Sequence, residues 1–150
     1  MSRRQGYRET AVKLIAILKR TRPWLNPNHR LADLCIDLEL TKMQVHYLFK
    51  QKLDTNYKTL INRYRVEEAK RRLQNPSRSF QLKTVMEESG FGSLSQFNVQ
   101  FKRYTGMTPS EYETFYHRFR KLTGHAPDEL HKDDLSPLPF SLDSLYSVHK

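Results

Sequence analysis

The residues best suited to chemistry are polar and basic side chains that recur in two stretches of the sequence. Phe49 and Phe101, 52 residues apart, mark equivalent positions in these stretches. A hydroxyl side chain comes eight residues before each phenylalanine, a glutamine comes five before, and a lysine follows directly. These residues are Thr41, Gln44 and Lys50, and then Ser93, Gln96 and Lys102. Hydroxyl, amide and ammonium groups in this order favour hydrogen bonding and neutralisation of a polyanion over bond-breaking chemistry.

The hydroxyl and the glutamine of each stretch predict where a helix begins. A Thr or Ser at the N-cap accepts a hydrogen bond from the main-chain N–H three residues later, and the Gln at that position bonds back to the N-cap N–H. Thr41 with Gln44 fits this capping box, and so does Ser93 with Gln96. We therefore expect one helix over about 42–52 and another over about 94–104.

Each of these helices has an apolar face, and its opposite face shows what it offers to a partner. The outward positions, at i, i+3, i+4 and i+7, are Met43, His46, Tyr47 and Lys50 in the first helix, and Ser95, Asn98, Val99 and Lys102 in the second. The flanking candidates are Thr41, Lys42, Ser93, Leu94 and Arg103. Because no acidic side chain interrupts these faces, both suit the major groove of a duplex, between its phosphate walls.

The residue types on these faces predict sparse direct readout of base sequence. Neither outward face presents the arginine that most often reads guanine. Asn98 suits adenine, and His46 can donate or accept a hydrogen bond at a base edge. Leu94, Met43 and Val99 suit the methyl group of thymine. We expect groove shape and phosphate contacts to carry much of the affinity.

The sequence pattern around these faces is that of short helices, and it predicts an all-α fold. The sequence has few β-branched runs, little strict apolar alternation and no Asn-Gly or Asp-Gly hairpin turn. Further helices are expected over about 7–22, 29–39, 57–73, 81–89 and 109–122. Pro23 and Asn75-Pro76 end the first and fourth of the seven helices. Short turns join 29–39 to 42–52 and 81–89 to 94–104, so the chain is predicted to hold two helix-turn-helix units.

The charge of the chain is concentrated in its first two thirds. The formal net charge is +10. Residues 1–110 hold 21 Lys and Arg against 9 Asp and Glu, whereas residues 111–150 hold 5 against 7. This asymmetry predicts a polyanion-binding body followed by a slightly acidic tail.

Several function classes lack their sequence signatures. The chain has no Gly-rich phosphate loop, no G-x-S-x-G motif and no pair of histidines four residues apart, so we expect no catalytic site, cofactor or metal. The single cysteine, Cys35, excludes an internal disulfide and is expected in the core. The sequence also shows no long apolar run and no signal peptide, which predicts a protein of the reducing cytoplasm without membrane contact.

Residues 7–114 resemble the DNA-binding domain of the AraC family of bacterial transcription regulators. The family pattern is Gly-Phe, then Phe-x-x-x-Phe-Lys, then Gly-x-[Ser/Thr]-Pro-x-x-[Tyr/Phe]. This sequence matches it with Gly90-Phe91, with Phe97 to Lys102, and with Gly106 to Tyr112. The stretch from Ile61 to Ala69 is similar to the linker helix of the family.

The resemblance implies a bundle-like fold of seven helices, in which a long fourth helix joins the two helix-turn-helix units. It implies that 42–52 and 94–104 are recognition helices that enter successive major grooves on one face of the DNA. The implied base-reading positions are Met43, His46 and Tyr47, and then Leu94, Ser95 and Val99. Residues 115–150 are expected to form a helical extension and a poorly ordered tail.

The predicted function is that of a sequence-specific, double-stranded DNA-binding transcription regulator without enzymatic activity. RNA polymerase is an expected partner, and family members often carry a separate sensing or dimerisation domain, which would lie outside this chain. The alternative is a non-specific nucleoid-associated module, or a protein-interaction module, that retains the fold. The weak polar content of Leu94, Ser95 and Val99 favours this alternative.

Three residues depart from the pattern of the family. Glu39 stands in the first turn where glycine is usual, and a left-handed backbone there would cost about 1 kcal/mol or more. Met86 replaces a small residue, and Ser89 replaces an aliphatic one. We therefore expect the second unit to pack less tightly than the first.

Overall fold

The computed structural model describes residues 3–76 and 81–127, and in these ranges the chain is helical without strands. The seven α-helices are α1 Arg3–Thr21, α2 Leu31–Leu38, α3 Lys42–Tyr47, α4 Tyr57–Leu73, α5 Leu82–Glu88, α6 Leu94–Thr105 and α7 Pro109–Thr123. The predicted all-α class and helix order are confirmed. The tail predicted after α7 lies outside the described residues from position 128 onward.

The described residues divide into two compact units, and the boundary between them falls inside α4. The first unit contains residues 3–23 and 28–61, and the second contains 24–27 together with the described residues from 62 to 127. The first unit therefore holds α2 and α3, and the second holds α5 and α6. Each predicted helix-turn-helix pair lies within one unit.

In the first unit, α1 and α2 pack against each other and α2 packs against α3. The buried side chains at the centre of these helices are Leu14, Ile15, Leu18, Leu34, Leu38, Val45, Leu48 and Phe49. The four-residue and three-residue spacings of these side chains give each helix one apolar face, and this pattern is the one from which the helices were predicted. Cys35 was expected in the core, but it is only half-buried and therefore lies at the edge of this core.

The first recognition helix differs from the continuous α-helix predicted over about 42–52. The α-helical part ends at Tyr47, and residues Leu48–Lys52 continue as a π-helical turn. A π-helical turn holds more residues than an α-helical turn, so side chains after Leu48 no longer follow the 3.6-residue period. With this wider turn, Leu53 is buried and Lys52 is exposed.

The turn between α2 and α3 has the left-handed backbone that favours glycine, although Glu39 occupies it. Glu39 has φ 55° and ψ 40°, and the N–H of Leu40 donates to the Cys35 oxygen at 3.0 Å. Lys13 Nζ donates to the Leu38 oxygen at 3.3 Å and so satisfies a carbonyl at the end of α2. The turn therefore keeps its geometry despite the unfavourable side chain.

In the second unit, the C-terminal part of α4 and helices α5 to α7 enclose an aromatic core. Successive ring centroids lie 5.1 Å apart for Phe91 and Phe97, 5.8 Å for Phe97 and Phe101, and 5.3 Å for Phe101 and Tyr112. Tilted and edge-to-face pairs at these distances add to the stability from burial. Helix α7 begins with a capping box of Thr108 and Glu111.

The departures Met86 and Ser89 both lie in this second core. Met86 is buried, and Ser89 is completely inaccessible to solvent. Within the described residues, Ser89 Oγ has no hydrogen-bond partner. A buried hydroxyl without a partner costs free energy, so this position is a weak point of the second unit.

Residues 24–27 follow α1 in the chain but belong to the second unit. The Trp24 ring is buried and stacks on the Tyr64 ring, with centroids 4.4 Å apart. Arg65, which is itself buried, donates from Nε to the Trp24 oxygen at 2.8 Å and from a terminal nitrogen to the Asn26 oxygen at 3.0 Å. The Trp24 side chain is thereby part of the core of the second unit.

Candidate nucleic-acid interface

The start of α3 is fixed by the predicted capping box. The N–H of Gln44 donates to Thr41 Oγ1 at 3.2 Å, and the N–H of Thr41 donates to Gln44 Oε1 at 2.9 Å. Both side chains are thereby used to satisfy main-chain groups at the helix start. The cap fixes which face of α3 turns inward, where Val45 is fully buried.

The outward face of α3 carries the side chains that the sequence predicted. Met43 is 82% exposed and Tyr47 is 45% exposed. Thr41, Lys42, His46 and Lys50 are exposed as well. Lys50 lies in the π-helical turn, so its direction relative to Met43 is not the one that a regular α-helix would give.

The start of α6 uses only half of the predicted capping box. The N–H of Gln96 donates to Ser93 Oγ at 3.2 Å. The return bond from the Ser93 N–H to the Gln96 side chain does not form among the described residues, so the prediction of a full box is wrong here. Ser93 has φ −154°, against −71° at Thr41, and this more extended backbone turns its N–H in a different direction.

The outward face of α6 exposes two aliphatic side chains beside its polar ones. Leu94 is 47% exposed and Val99 is 60% exposed. Ser95, Asn98, Lys102 and Arg103 are also exposed. Phe97, Gln100 and Phe101 face the core, so the division between the faces is the one expected from the helical period.

All of the predicted site residues are therefore at the surface, and none is used to fill a core. They form two groups, one in each unit: Thr41, Lys42, Met43, His46, Tyr47 and Lys50 in the first, and Ser93, Leu94, Ser95, Asn98, Val99, Lys102 and Arg103 in the second. The recognition elements 42–52 and 94–105 contain no Asp or Glu. Each group offers hydrogen-bonding, apolar and cationic side chains without a charge that would repel phosphate.

The sequence did not predict that other residues contact these elements. Tyr7 of α1 lies against Tyr47 and under Lys52, and the Arg63 guanidinium of α4 lies 5.2 Å from the centroid of the Tyr104 ring of α6. A signal for Tyr7 was present, because it precedes Ala11 by one helical turn on the apolar side of α1. No sequence pattern indicated the ring contacts of Lys52 and Arg63, because these contacts depend on tertiary packing.

Metal-ligand groups and membrane-spanning helices are both missing from the part of the chain that the structure describes. No group of three or more His, Cys, Asp or Glu side chains in residues 3–76 and 81–127 is arranged to hold a metal ion. None of the helices within these ranges is both long and apolar enough to cross a bilayer.

Comparison with known proteins places this architecture in a family. A family model described as a helix-turn-helix domain matches residues 34–114, which is more than half of the chain. The raffinose operon transcriptional regulatory protein RafR of Pediococcus pentosaceus is 35% identical over 80 residues. The TCP pilus virulence regulatory protein of Vibrio cholerae is 31% identical over 88 residues.

Solved structures show the same fold. A structure of a protein of unknown function from Listeria innocua has a TM-score of 0.58 and 26% identity, and the match covers 67% of this chain and 92% of that one. The C-terminal domain of the response regulator YesN from Fusobacterium nucleatum has a TM-score of 0.59 over 67% of this chain and 93% of that domain. At 22% identity, this second likeness bears on the fold alone.

The match to the curated relatives is confined to one part of each protein. It covers 53% of this chain but only 28% of RafR, and 57% of this chain but 30% of the V. cholerae regulator. The segment matched by the family model begins within α2 and contains α3 to α6. The chain belongs to the AraC-type helix-turn-helix family of DNA-binding transcription regulators, which is not a family of enzymes.

Proposed function

We propose that this chain recognises a specific site in double-stranded DNA by placing α3 and α6 in successive major grooves. The observation that carries the proposal is that all predicted contact residues are exposed, on two capped helices free of acidic side chains. A helix of this kind fits the width of the major groove, and its outward side chains can reach base edges there.

Basic and hydroxyl groups supply the contacts to the DNA backbone in this proposal. Lys42, Lys50, Lys102 and Arg103 are exposed and neutralise phosphates, which makes binding weaker at high salt. Thr41 and Ser93 use their oxygens as acceptors at the helix starts, and each hydroxyl keeps a proton to donate to a phosphate oxygen.

The side chains between the basic residues read the bases. His46 and Asn98 supply hydrogen-bonding groups, and Asn98 suits the N6 and N7 edge of adenine. The exposed apolar side chains are Met43, Leu94 and Val99, which suit thymine methyl groups. Tyr47 and Ser95 complete the two surfaces. Because few of these side chains can hydrogen-bond to base edges, the shape of the grooves contributes much of the specificity.

Regulation of transcription follows from binding near a promoter, and we propose RNA polymerase as a partner of the bound protein. A regulator of chromosomal DNA works in the bacterial cytoplasm. The matched segment makes up 28% of RafR and 18% of the Bacillus subtilis regulator YesN. This leaves room in such relatives for further domains, and it supports the proposal that a sensing or dimerisation domain outside this chain accompanies the DNA-binding domain.

One observation favours a second candidate function, that of a non-specific DNA-binding or protein-interaction module. Leu94 and Val99 expose apolar surface on α6, where a reader of base sequence would more often carry polar groups. Such a module would bind duplexes of any sequence alike, or it would bury this surface against another protein.

Selection of bound duplexes from random DNA separates the two candidates. We expect a selected duplex to bind at least about a thousandfold more tightly than a scrambled one at physiological salt. We also expect two protected major-groove segments about 10 base pairs apart. Equal affinity for both duplexes, with a steep salt dependence, would instead support the non-specific module. A single protected segment would contradict the use of both helices.

A further inference from the structure

Helix α1 contacts the first recognition element at a place that the sequence did not predict. The Tyr7 ring of α1 lies against the Tyr47 ring, with centroids 4.9 Å apart and planes inclined by 37°. Lys52 Nζ lies 5.5 Å from the centroid of the same Tyr7 ring, which is within the range of a cation–π interaction. One side chain of α1 thus touches the recognition element at two points, at the end of α3 and at the end of the π-helical turn.

The exposure of these three side chains shows what the contact does. Tyr7 is half-buried, whereas Tyr47 remains 45% exposed and Lys52 is exposed. Tyr47 is therefore held on one side and open on the other. A tyrosine whose ring is already ordered loses little conformational freedom when it binds a partner, and the same holds for a lysine held over a ring.

Lys52 lies at the end of the π-helical turn, where its long side chain is exposed. The turn Leu48–Lys52 is wider than an α-helical turn and is the last part of the recognition element. The N–H groups of Leu53 and Thr55 both donate to the Phe49 oxygen, at 3.2 and 3.1 Å, and this closes the turn. Tyr7 supplies a further contact to the turn, from outside it.

We propose that Tyr7 is a positioning residue for DNA recognition by the first helix-turn-helix unit, and that Lys52 is a further phosphate-contacting residue. Tyr7 holds the Tyr47 ring in the orientation that meets a base edge, and it holds the Lys52 ammonium beside the DNA backbone. This inference rests on the proposed function, because it assigns Tyr47 and Lys52 to the DNA-facing surface.

The test compares three substitutions of Tyr7 on a selected duplex and on a panel with single base-pair changes. Tyr7→Phe keeps the ring and should keep wild-type affinity and preference. Tyr7→Leu keeps bulk but removes the ring, and it should weaken binding to the selected duplex about three- to tenfold. The Tyr7→Leu variant should also lose preference at the same base pairs at which Tyr47→Ala loses preference. Tyr7→Ala should show the same pattern more strongly.

Two further variants separate positioning from simple loss of structure. In a Tyr47→Ala background, Tyr7→Leu should cause no further loss of base preference, because the ring that it orders is gone. Lys52→Ala should reduce the salt dependence by about one phosphate contact without changing base preference. Val12→Ala, an exposed position of α1 at 41%, serves as the control and should bind as the wild type does.

The outcomes also separate this inference from the proposed function. A wild-type chain that prefers no duplex contradicts the proposed function itself. A clear preference that survives unchanged in Tyr7→Leu, while Tyr47→Ala alters it, overturns the positioning role alone. Equal weakening at every base pair, together with a matching loss of thermal stability, would assign Tyr7 to the core and overturn the inference as well.

Discussion

Gly90 lies directly against the main chain of Trp24 within the second unit. A Cβ atom built on Gly90 would be only 1.8 Å from the Trp24 oxygen. Gly90 also has φ 87°, in the left-handed region that favours glycine. The same Trp24 oxygen accepts the hydrogen bond from Arg65 Nε. The turn that leads to α6 is thus packed against residues 24–27, with space for a hydrogen atom and nothing larger.

Substitution of Gly90 should destabilise the protein much more than substitution of a comparable glycine. We expect Gly90→Ala to lower the free energy of unfolding by about 3 kcal/mol or more, because backbone strain is added to a steric clash. Gly106 has φ 77° but nothing within 4 Å of a built Cβ. Gly106→Ala should therefore cost only about 1 kcal/mol. Urea unfolding measures both values, and equal losses would show that the contact with Trp24 has no energetic weight.

The Gly90 contact shows which part of the fold the sequence could predict. Gly90-Phe91 belongs to a recognisable pattern, so the turn before α6 was expected. Its contact with Trp24 was not expected, because residues 24–27 are far from Gly90 in the chain. Local patterns fix helix boundaries such as those of α4, which spans Tyr57–Leu73 as expected. Contacts between distant segments depend on packing that no local pattern records.

A glycine at position 39 should stabilise the first unit. Glu39 is strained in a left-handed backbone conformation with φ 55°, because its Cβ atom makes that conformation unfavourable. Glycine has no Cβ atom and adopts this conformation without strain. We expect Glu39→Gly to raise the free energy of unfolding by about 1 kcal/mol. Its ion pair with Lys13 is long, at 4.0 Å, and exposed, so losing it should matter little.

The control for this prediction is a glycine placed in regular helix. Ala32 is an exposed residue within α2, and Ala32→Gly should lower the free energy of unfolding by about 1 kcal/mol. The two variants thus have opposite expected signs in the same thermal or urea melt. A destabilised Glu39→Gly protein would show that the Glu39 side chain makes a contribution larger than its backbone strain.

The burial of Tyr64 predicts a loss of stability in alkaline solution. Burial raises the pKa of the Tyr64 phenol above its ordinary value of 10.0. The folded state therefore resists ionisation of this group more than the unfolded state does. The contribution of the Tyr64 phenol to the free energy of unfolding is fully present below pH 10. This contribution is lost as the pH rises from there through the pKa of the folded state.

Tyr64→Phe removes this titration while keeping the ring that stacks on Trp24. The free-energy difference between Tyr64→Phe and the wild type should be constant from pH 7 to pH 9. Above pH 10 it should shift in favour of the variant. Denaturant unfolding at each pH measures this difference, and a flat profile up to pH 12 would contradict the role of burial.

The recognition surfaces show a similar division between what local sequence determines and what packing determines. The helical period correctly separated buried Val45 from exposed Met43 and His46. It did not indicate the π-helical turn after Tyr47, because a change of helical type there depends on how Phe49 and Leu53 fit the core. The contact between Tyr7 and Tyr47 depends on tertiary packing as well, and the apolar side of α1 alone did not indicate which residue Tyr7 would contact.

On α6, two substitutions one turn apart should affect DNA binding in different ways. Lys102→Ala removes a phosphate contact, so it should weaken binding to all duplexes alike and reduce the salt slope by about 1. Asn98→Ala removes a base contact, so it should cost about 1–3 kcal/mol on the preferred duplex and relax the preference at one base pair. Both side chains are exposed, so neither change should alter the melting temperature by much.

His46→Ala extends this comparison to α3, where it should change the preference at base pairs in the other half of the site. Arg118→Ala serves as the control, since Arg118 is exposed on α7 and outside both recognition surfaces. Competition binding against single base-pair variants, repeated at two or more salt concentrations, distinguishes the two kinds of effect. If His46→Ala leaves the preferred sequence unchanged, α3 meets the DNA with a different face, because a base-reading side chain cannot be removed without loss of discrimination.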